Sequence, residues 1–212
     1  MTAGSAVYTA PLLVFYNAGV LIFNNKYVWR CPRERLLQHY DQHVSCQHLD
    51  IGPGTGWYLE HATFPCPDPS VTLLDLSRDS LEKTAGQLGK IAPKSVHANV
   101  FEPISGQFDT IGANYVLHCL PGDWNTKSKA IANIAKALSP TGVFFGSTII
   151  NEGGRHNLLA RLTTKLYNAV GIFHNMADDL SGLQSVLDAA FERTTIEVIG
   201  SVALFSATGP RK

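Results

Sequence analysis

Short runs of β-branched and apolar residues recur at His48–Ile51, Val71–Leu74, Ser95–Ala98, Phe108–Val116 and Gly142–Ile149, with stretches of helical periodicity between most of them. Strands alternating with helices of this length require crossover connections and therefore a mostly parallel, doubly wound α/β sheet. The clearest helix begins near Thr126, where Ala130, Ile131, Ile134, Ala135 and Leu138 share one face and Ser139-Pro140-Thr141-Gly142 stops it. Another opens on Asp179 as N-cap and runs through Leu183, Val186 and Leu187. Two further runs, Thr194–Val198 and Val202–Ser206, are separated only by Ile199-Gly200-Ser201, which predicts a hairpin and an antiparallel edge. The expected fold is a Rossmann-like seven-stranded sheet with an antiparallel C-terminal hairpin.

The 212 residues suit one domain, with 45% hydrophobic and only 16% charged residues, a composition rich enough in apolar side chains for a large core. Residues 1–44 read as an N-terminal helical cap, 45–208 as the core, and 151–177 as an insertion on the substrate side. Seventeen basic residues balance seventeen acidic ones, which argues against a nucleic-acid partner because phosphates demand a basic face. The apolar run from Ala10 to Phe23 is too short for a membrane span, is interrupted by Tyr16, Asn17 and Gly19, and has no basic segment before it. It reads as a buried or amphipathic helix, a lid or alternatively a homodimer face, and the expected location is the cytoplasm. Cys31, Cys46, Cys66 and Cys119 show no CxxC pair and no zinc spacing, so four reduced thiols and no metal site are expected.

The most informative segment is His48-Leu49-Asp50-Ile51-Gly52-Pro53-Gly54-Thr55-Gly56, a strand running into three alternate glycines before a helix opens near Trp57. Glycines at the carboxyl end of the first strand let the backbone approach a ligand closely. A dinucleotide fingerprint needs glycine where Trp57 stands, which disfavours a nicotinamide dehydrogenase, and a phosphate-binding P-loop needs a lysine that is absent.

With this loop the chain resembles the class I S-adenosylmethionine-dependent methyltransferases, and among them the UbiE-like enzymes that methylate metabolites and natural products. The resemblance implies that Asp50 organises the loop near the cofactor's amino end, with Gly52, Gly54 and Gly56 as the loop glycines. It implies that Asp75, ending the second strand, accepts both ribose hydroxyls, the alternative being a cap for the helix near Ser77, and that Leu76 lies on the adenine. Where the family usually places an aspartate on the adenine amino group this chain has Asn99, whose side-chain oxygen still accepts, with the N–H of Val100 beside it. Asn114 and Tyr115 are expected along the methionine moiety.

The segment Val116-Leu117-His118-Cys119-Leu120 is similar to one in the family whose end faces the substrate. His118 is therefore a candidate general base, the alternative being a packing role, and His174 is a second candidate. Aromatic and polar side chains outside the core sheet, Tyr16, Tyr27, Trp29, Phe173, His174 and Asn175, are expected walls for a small apolar or aromatic acceptor. The implied activity is metal-free methylation of oxygen, carbon or nitrogen. A protein of this fold that binds the cofactor without transferring methyl stays open as the alternative.

Overall fold

The computed structural model describes residues 24–89 and 91–211. The run from Ala10 to Phe23, Tyr16 included, lies outside them. Seven strands form one sheet: β1 (Gln47–Ile51), β2 (Ser70–Asp75), β3 (Lys94–His97), β4 (Phe108–Asn114), β5 (Leu138–Ile149), β6 (Phe191–Ile199) and β7 (Val202–Pro210), in the order β3-β2-β1-β4-β5-β7-β6. β1 pairs in parallel with both β2 and β4. The chain therefore builds outward from β1 in one direction and then returns to β1's other side, so a crevice opens between the carboxyl ends of β1 and β4.

Alternation along β1 decides what faces where. Leu49 and Ile51 pack with Leu74, Ile111 and Phe144 against α4 (Trp124–Ala137) and α6 (Leu180–Ala190). His48 and Asp50 point to the other face, toward Tyr40 of α1 (Arg33–His43). That face is closed by α1, α2 (Trp57–His61) and α3 (Arg78–Gln87) through Tyr40, Leu59, Leu81, Leu73 and Phe145. A third cluster, Trp29, Cys31, Leu36, Ile149, Phe173 and Leu204, joins the turn at Asn24–Val28 and α5 (Leu158–Ala169) to the carboxyl end of β5. The expected cap at Asp179 is in place, accepting the Gly182 N–H, and two further caps, Ser77 on the Ser80 N–H and Asp123 on the Thr126 N–H, likewise satisfy otherwise orphan amides.

The expected C-terminal hairpin is present and forms one edge of the sheet as an antiparallel pair. β7 lies between β5 and β6 and is antiparallel to both, which leaves β6 running in the same direction as β5. Composition explains the choice, since Val202, Ala203, Leu204, Phe205 and Ala207 of β7 are buried, whereas Glu192, Arg193, Thr195 and Glu197 of β6 face water and keep the edge polar. The expectation of four reduced thiols needs correction. Cys46 and Cys66 form a disulfide, with Cα atoms 6.0 Å apart. Because β1 and β2 are parallel neighbours, the residues that enter them meet at one edge, where the Ser70 N–H donates to the Cys46 carbonyl at 2.7 Å. Cys31 is buried, which pushes its thiol up to about 12. No helix among the described residues is long and apolar enough to cross a membrane.

Protein purified without reductant and then denatured should titrate two thiols, Cys31 and Cys119, and four after reduction. Four before reduction would remove the bridge. Cutting it should cost about 3 kcal/mol, by release of a loop of 20 residues.

Candidate active site at the strand switch point

The glycine loop leaves β1 with the Gly52 N–H bonded to the Leu74 carbonyl at 2.8 Å. Gly52 has φ +63°, and a Cβ there would lie 2.7 Å from Cγ2 of Val116, so the β4 loop can pack against it only if position 52 has no side chain. Gly54 has φ +59° and nothing within 4 Å of where its Cβ would stand. Its carbonyl accepts the Thr84 hydroxyl at 3.2 Å and lies 3.2 Å from the Ser80 hydroxyl, whose one hydrogen it shares with Asp75. The loop is thus held from behind by α3 and left open above Gly54.

Across the strand end, Asp75 accepts the Ser77 N–H (2.8 Å) and the Ser80 hydroxyl (3.0 Å). Burial raises its carboxyl above the usual carboxylate range, and these two donors work against that shift. Ser77 caps α3 by itself, so Asp75 is not the helix cap. Each of its oxygens accepts one bond and retains acceptor capacity. Leu76 beside it is 53% exposed, and its carbonyl is held by Nε2 of His97 at 2.9 Å. An exposed leucine next to a half-buried acid suits a flat base beside a sugar. Asn99 is less free than expected, since its Oδ1 accepts the Phe101 N–H at 3.0 Å within its own turn. Val100 is buried, and its carbonyl takes the Asn133 amide.

On the β4 side, Asn114 Oδ1 accepts the Ser147 hydroxyl at 3.1 Å, which orients the amide and leaves Nδ2 buried with no partner among the described residues. A buried orphan donor costs about 1–3 kcal/mol, so its place beside the open loop points to a ligand oxygen. Tyr115 follows with φ +57° in the left-handed region, and its N–H is tied to the Ser147 carbonyl at 2.8 Å. The open loop, the acid at β2 and the orphan amide at β4 fit a ligand with an amino-acid end and a nucleoside end.

His118 is 2% exposed. Its Nδ1 accepts the Ile149 N–H at 3.3 Å, which places the ring proton on Nε2, and its ring meets Phe173 edge-on at 4.4 Å. Burial, reinforced by the Lys127 charge, pushes its pKa down to about 3. So low a value favours the packing alternative for His118 over the general-base one. Asn175 is fully buried with its amide committed to the fold, Nδ2 to the Ile149 carbonyl (3.0 Å) and Oδ1 to Asn168 (2.8 Å). Trp29 and Phe173 are buried against each other, with ring centroids 5.9 Å apart. Tyr27 is exposed, and its carbonyl accepts the Asn157 amide at the start of α5. His174 is half-buried and donates its N–H to the His118 carbonyl.

A feature not foreseen from the sequence fastens this side of the site. Lys127 Nζ on α4 reaches both oxygens of Asp178, at 2.7 and 2.6 Å, and the His174 carbonyl at 2.9 Å, in full burial. The Asp178 carbonyl in turn accepts the Asn151 N–H, so the two ends of the 151–177 insertion close on one point. Burial outweighs attraction within the pair, raising Asp178 to about 6 and lowering Lys127. Removing one partner leaves the other charge without compensation. K127M should therefore lose about 3–5 kcal/mol in urea unfolding, and K127M/D178L should recover part of the loss. Equal stability of K127M and wild type would deny the pair this role.

A family model described as a methyltransferase domain matches residues 49–144, the stretch from β1 through the first half of β5. The chain is 42% identical over 196 residues to the Escherichia coli (strain K12) protein YbcY, covering 89% of this chain and 98% of that one. It is 35% identical over 207 residues to the demethylluteothin O-methyltransferase of Streptomyces thioluteus, covering 96% of this chain and 90% of that enzyme. Among solved structures, the DhpI–S-adenosylhomocysteine complex superposes with a TM-score of 0.73 at 13% identity, covering 99% of this chain and 97% of that one, which is a likeness of fold. By sequence, fold and site, the chain belongs to the S-adenosylmethionine-dependent class I methyltransferases of the small-molecule branch.

Proposed function

We propose that the chain methylates oxygen, carbon or nitrogen of a small, largely apolar and aromatic acceptor, with Asp50, Asp75 and Asn114 as its principal cofactor contacts. The observation that carries the site reading is the open space above Gly54, flanked by the Asp75 carboxylate and the unpartnered Asn114 amide. S-adenosylmethionine, when bound, supplies a methyl already activated by a sulfonium, so the chain has to provide position and dryness more than acid–base chemistry.

In this reading Asp75 uses its remaining lone pairs for the ribose hydroxyls and Leu76 covers the adenine, with the Asn99–Val100 turn at the ring's edge. Asp50 faces the cofactor's ammonium, the loop of Gly52, Gly54 and Gly56 lets the backbone approach the methionine part, and Asn114 and Tyr115 line its other side. The acceptor lies beyond Tyr115, toward the aromatic cluster of Trp29, Tyr167 and Phe173, with Tyr27 and His174 at the more accessible positions. His118 stays neutral and contributes a ring wall. An O-methyltransferase named for demethylluteothin among the relatives supports an acceptor oxygen, and the zero net charge supports a small acceptor over a nucleic acid.

Calorimetry with S-adenosylhomocysteine tests the cofactor half: D75A should weaken binding about tenfold or more, and an unchanged affinity would remove Asp75 from the site. Transfer of labelled methyl to a panel of phenols, naphthols and aromatic acids tests the acceptor half. If the whole panel stays unlabelled, the aromatic-acceptor reading fails. With an acceptor in hand, the pH–rate profile between pH 5 and 8 should keep its shape in H118N, because an imidazole with a pKa of about 3 stays neutral throughout. A limb near pH 6.5 that disappears in H118N would show that His118 titrates during turnover.

A further inference from the structure

Asp50 is almost fully buried, yet among the described residues no lysine or arginine holds it. Its Oδ2 accepts the hydroxyl proton of Tyr40 at 2.7 Å. Tyr40 Oη also lies 2.8 Å from Nε2 of His48, and His48 Nδ1 lies 2.9 Å from Thr110 Oγ1. Thr110 in turn accepts the Ser45 N–H at 3.1 Å. Tyr40, His48 and Thr110 are all buried.

The protons in this chain can be placed by counting. An ionised carboxylate only accepts, so Tyr40 donates its one hydrogen to Asp50 and must accept from His48. His48 therefore carries hydrogen on Nε2, and its Nδ1 accepts from the Thr110 hydroxyl. Every bond runs the same way, from Thr110 through His48 and Tyr40 to Asp50, and bonds aligned in series polarise one another. The scaffold is built around this path. A Cβ on Gly112 of β4 would come within 3.1 Å of the His48 ring, and Tyr40 is fixed by stacking on Tyr58 at 5.9 Å and by an edge contact with Phe145 at 5.2 Å.

We infer that Tyr40, backed by His48 and Thr110, is a positioning residue that fixes the Asp50 carboxylate through Oδ2 and keeps Oδ1 for the cofactor's ammonium. This rests on the cofactor placement proposed above. It makes α1, outside the matched methyltransferase segment, part of the binding apparatus. Without the Tyr40 hydroxyl, Asp50 can turn toward His48 Nε2, which already stands 3.6 Å away, and the ammonium loses its oriented acceptor.

The test compares two ligands by calorimetry in wild type and Y40F. S-adenosylhomocysteine carries the amino-acid end, and 5′-methylthioadenosine lacks it. Y40F should bind the first about tenfold or more weakly and the second with wild-type affinity. H48Q, whose side-chain amide restores a donor near the place of Nε2 but gives up the Thr110 bond, should lose less than Y40F on the first ligand and nothing on the second. If Y40F does not fold, T110V carries the same comparison with a smaller loss expected. Equal weakening of both ligands, or no weakening of either, overturns the positioning role. Wild-type protein that binds neither ligand overturns the cofactor placement itself, and this inference with it.

Discussion

The pairing of β1 with β2 on one side and β4 on the other is the constraint on which the rest of the molecule depends. Winding outward from β1 in both directions leaves no crossover above the β1–β4 boundary, and the loops that follow those two strands must face each other there. Their approach is close enough that Gly52 and Val116 tolerate no Cβ between them. Both halves of the site, the glycine loop with Asp75 and the Asn114–Tyr115 corner, are consequences of that one topological choice.

A crevice of this kind has to keep polar groups dry without letting them destabilise the fold. Each buried charge is handled differently. Asp75 leans on an amide and a hydroxyl of its own helix start. Asp50 leans on a tyrosine from α1. Asp178 takes a full ion pair with Lys127, whose third bond fixes the His174 carbonyl. His118 avoids charge altogether, with Nδ1 given to the Ile149 N–H. Only Asn114 Nδ2 is left unsatisfied among these groups, at the point where a ligand oxygen would complete it. The aromatic cluster of Trp29, Tyr167 and Phe173 packs as an apolar unit that needs no buried charge.

Much of this was legible from residue order. The seven strands, the helix cap at Asp179 and the glycine loop follow from period, turn chemistry and local hydrogen bonding, all of which act within a few residues. Other features were not. Tyr40 precedes Asp50 by ten residues on a different element, and nothing in an arginine-, glutamine- and histidine-rich helix marks it as the partner of a strand acid. Lys127 reads as an ordinary polar residue of α4 and Asp178 as an ordinary loop acid. The Cys46–Cys66 bridge was hidden because a spacing of twenty residues carries no signal until β1 and β2 lie side by side.

Local chemistry therefore determined which segments become strands, where helices start, and which loop can come close to a nucleoside-bearing ligand. The tertiary structure decided the electrostatic character of each side chain at that loop. His118 was chosen by its intrinsic pKa, which is a property of an imidazole in water. Packing beneath Phe173 and near Lys127 removes that water and keeps the ring neutral. Protonation and hydrogen-bond direction depend on what surrounds a group in three dimensions, and that information is distributed over residues far apart in the chain.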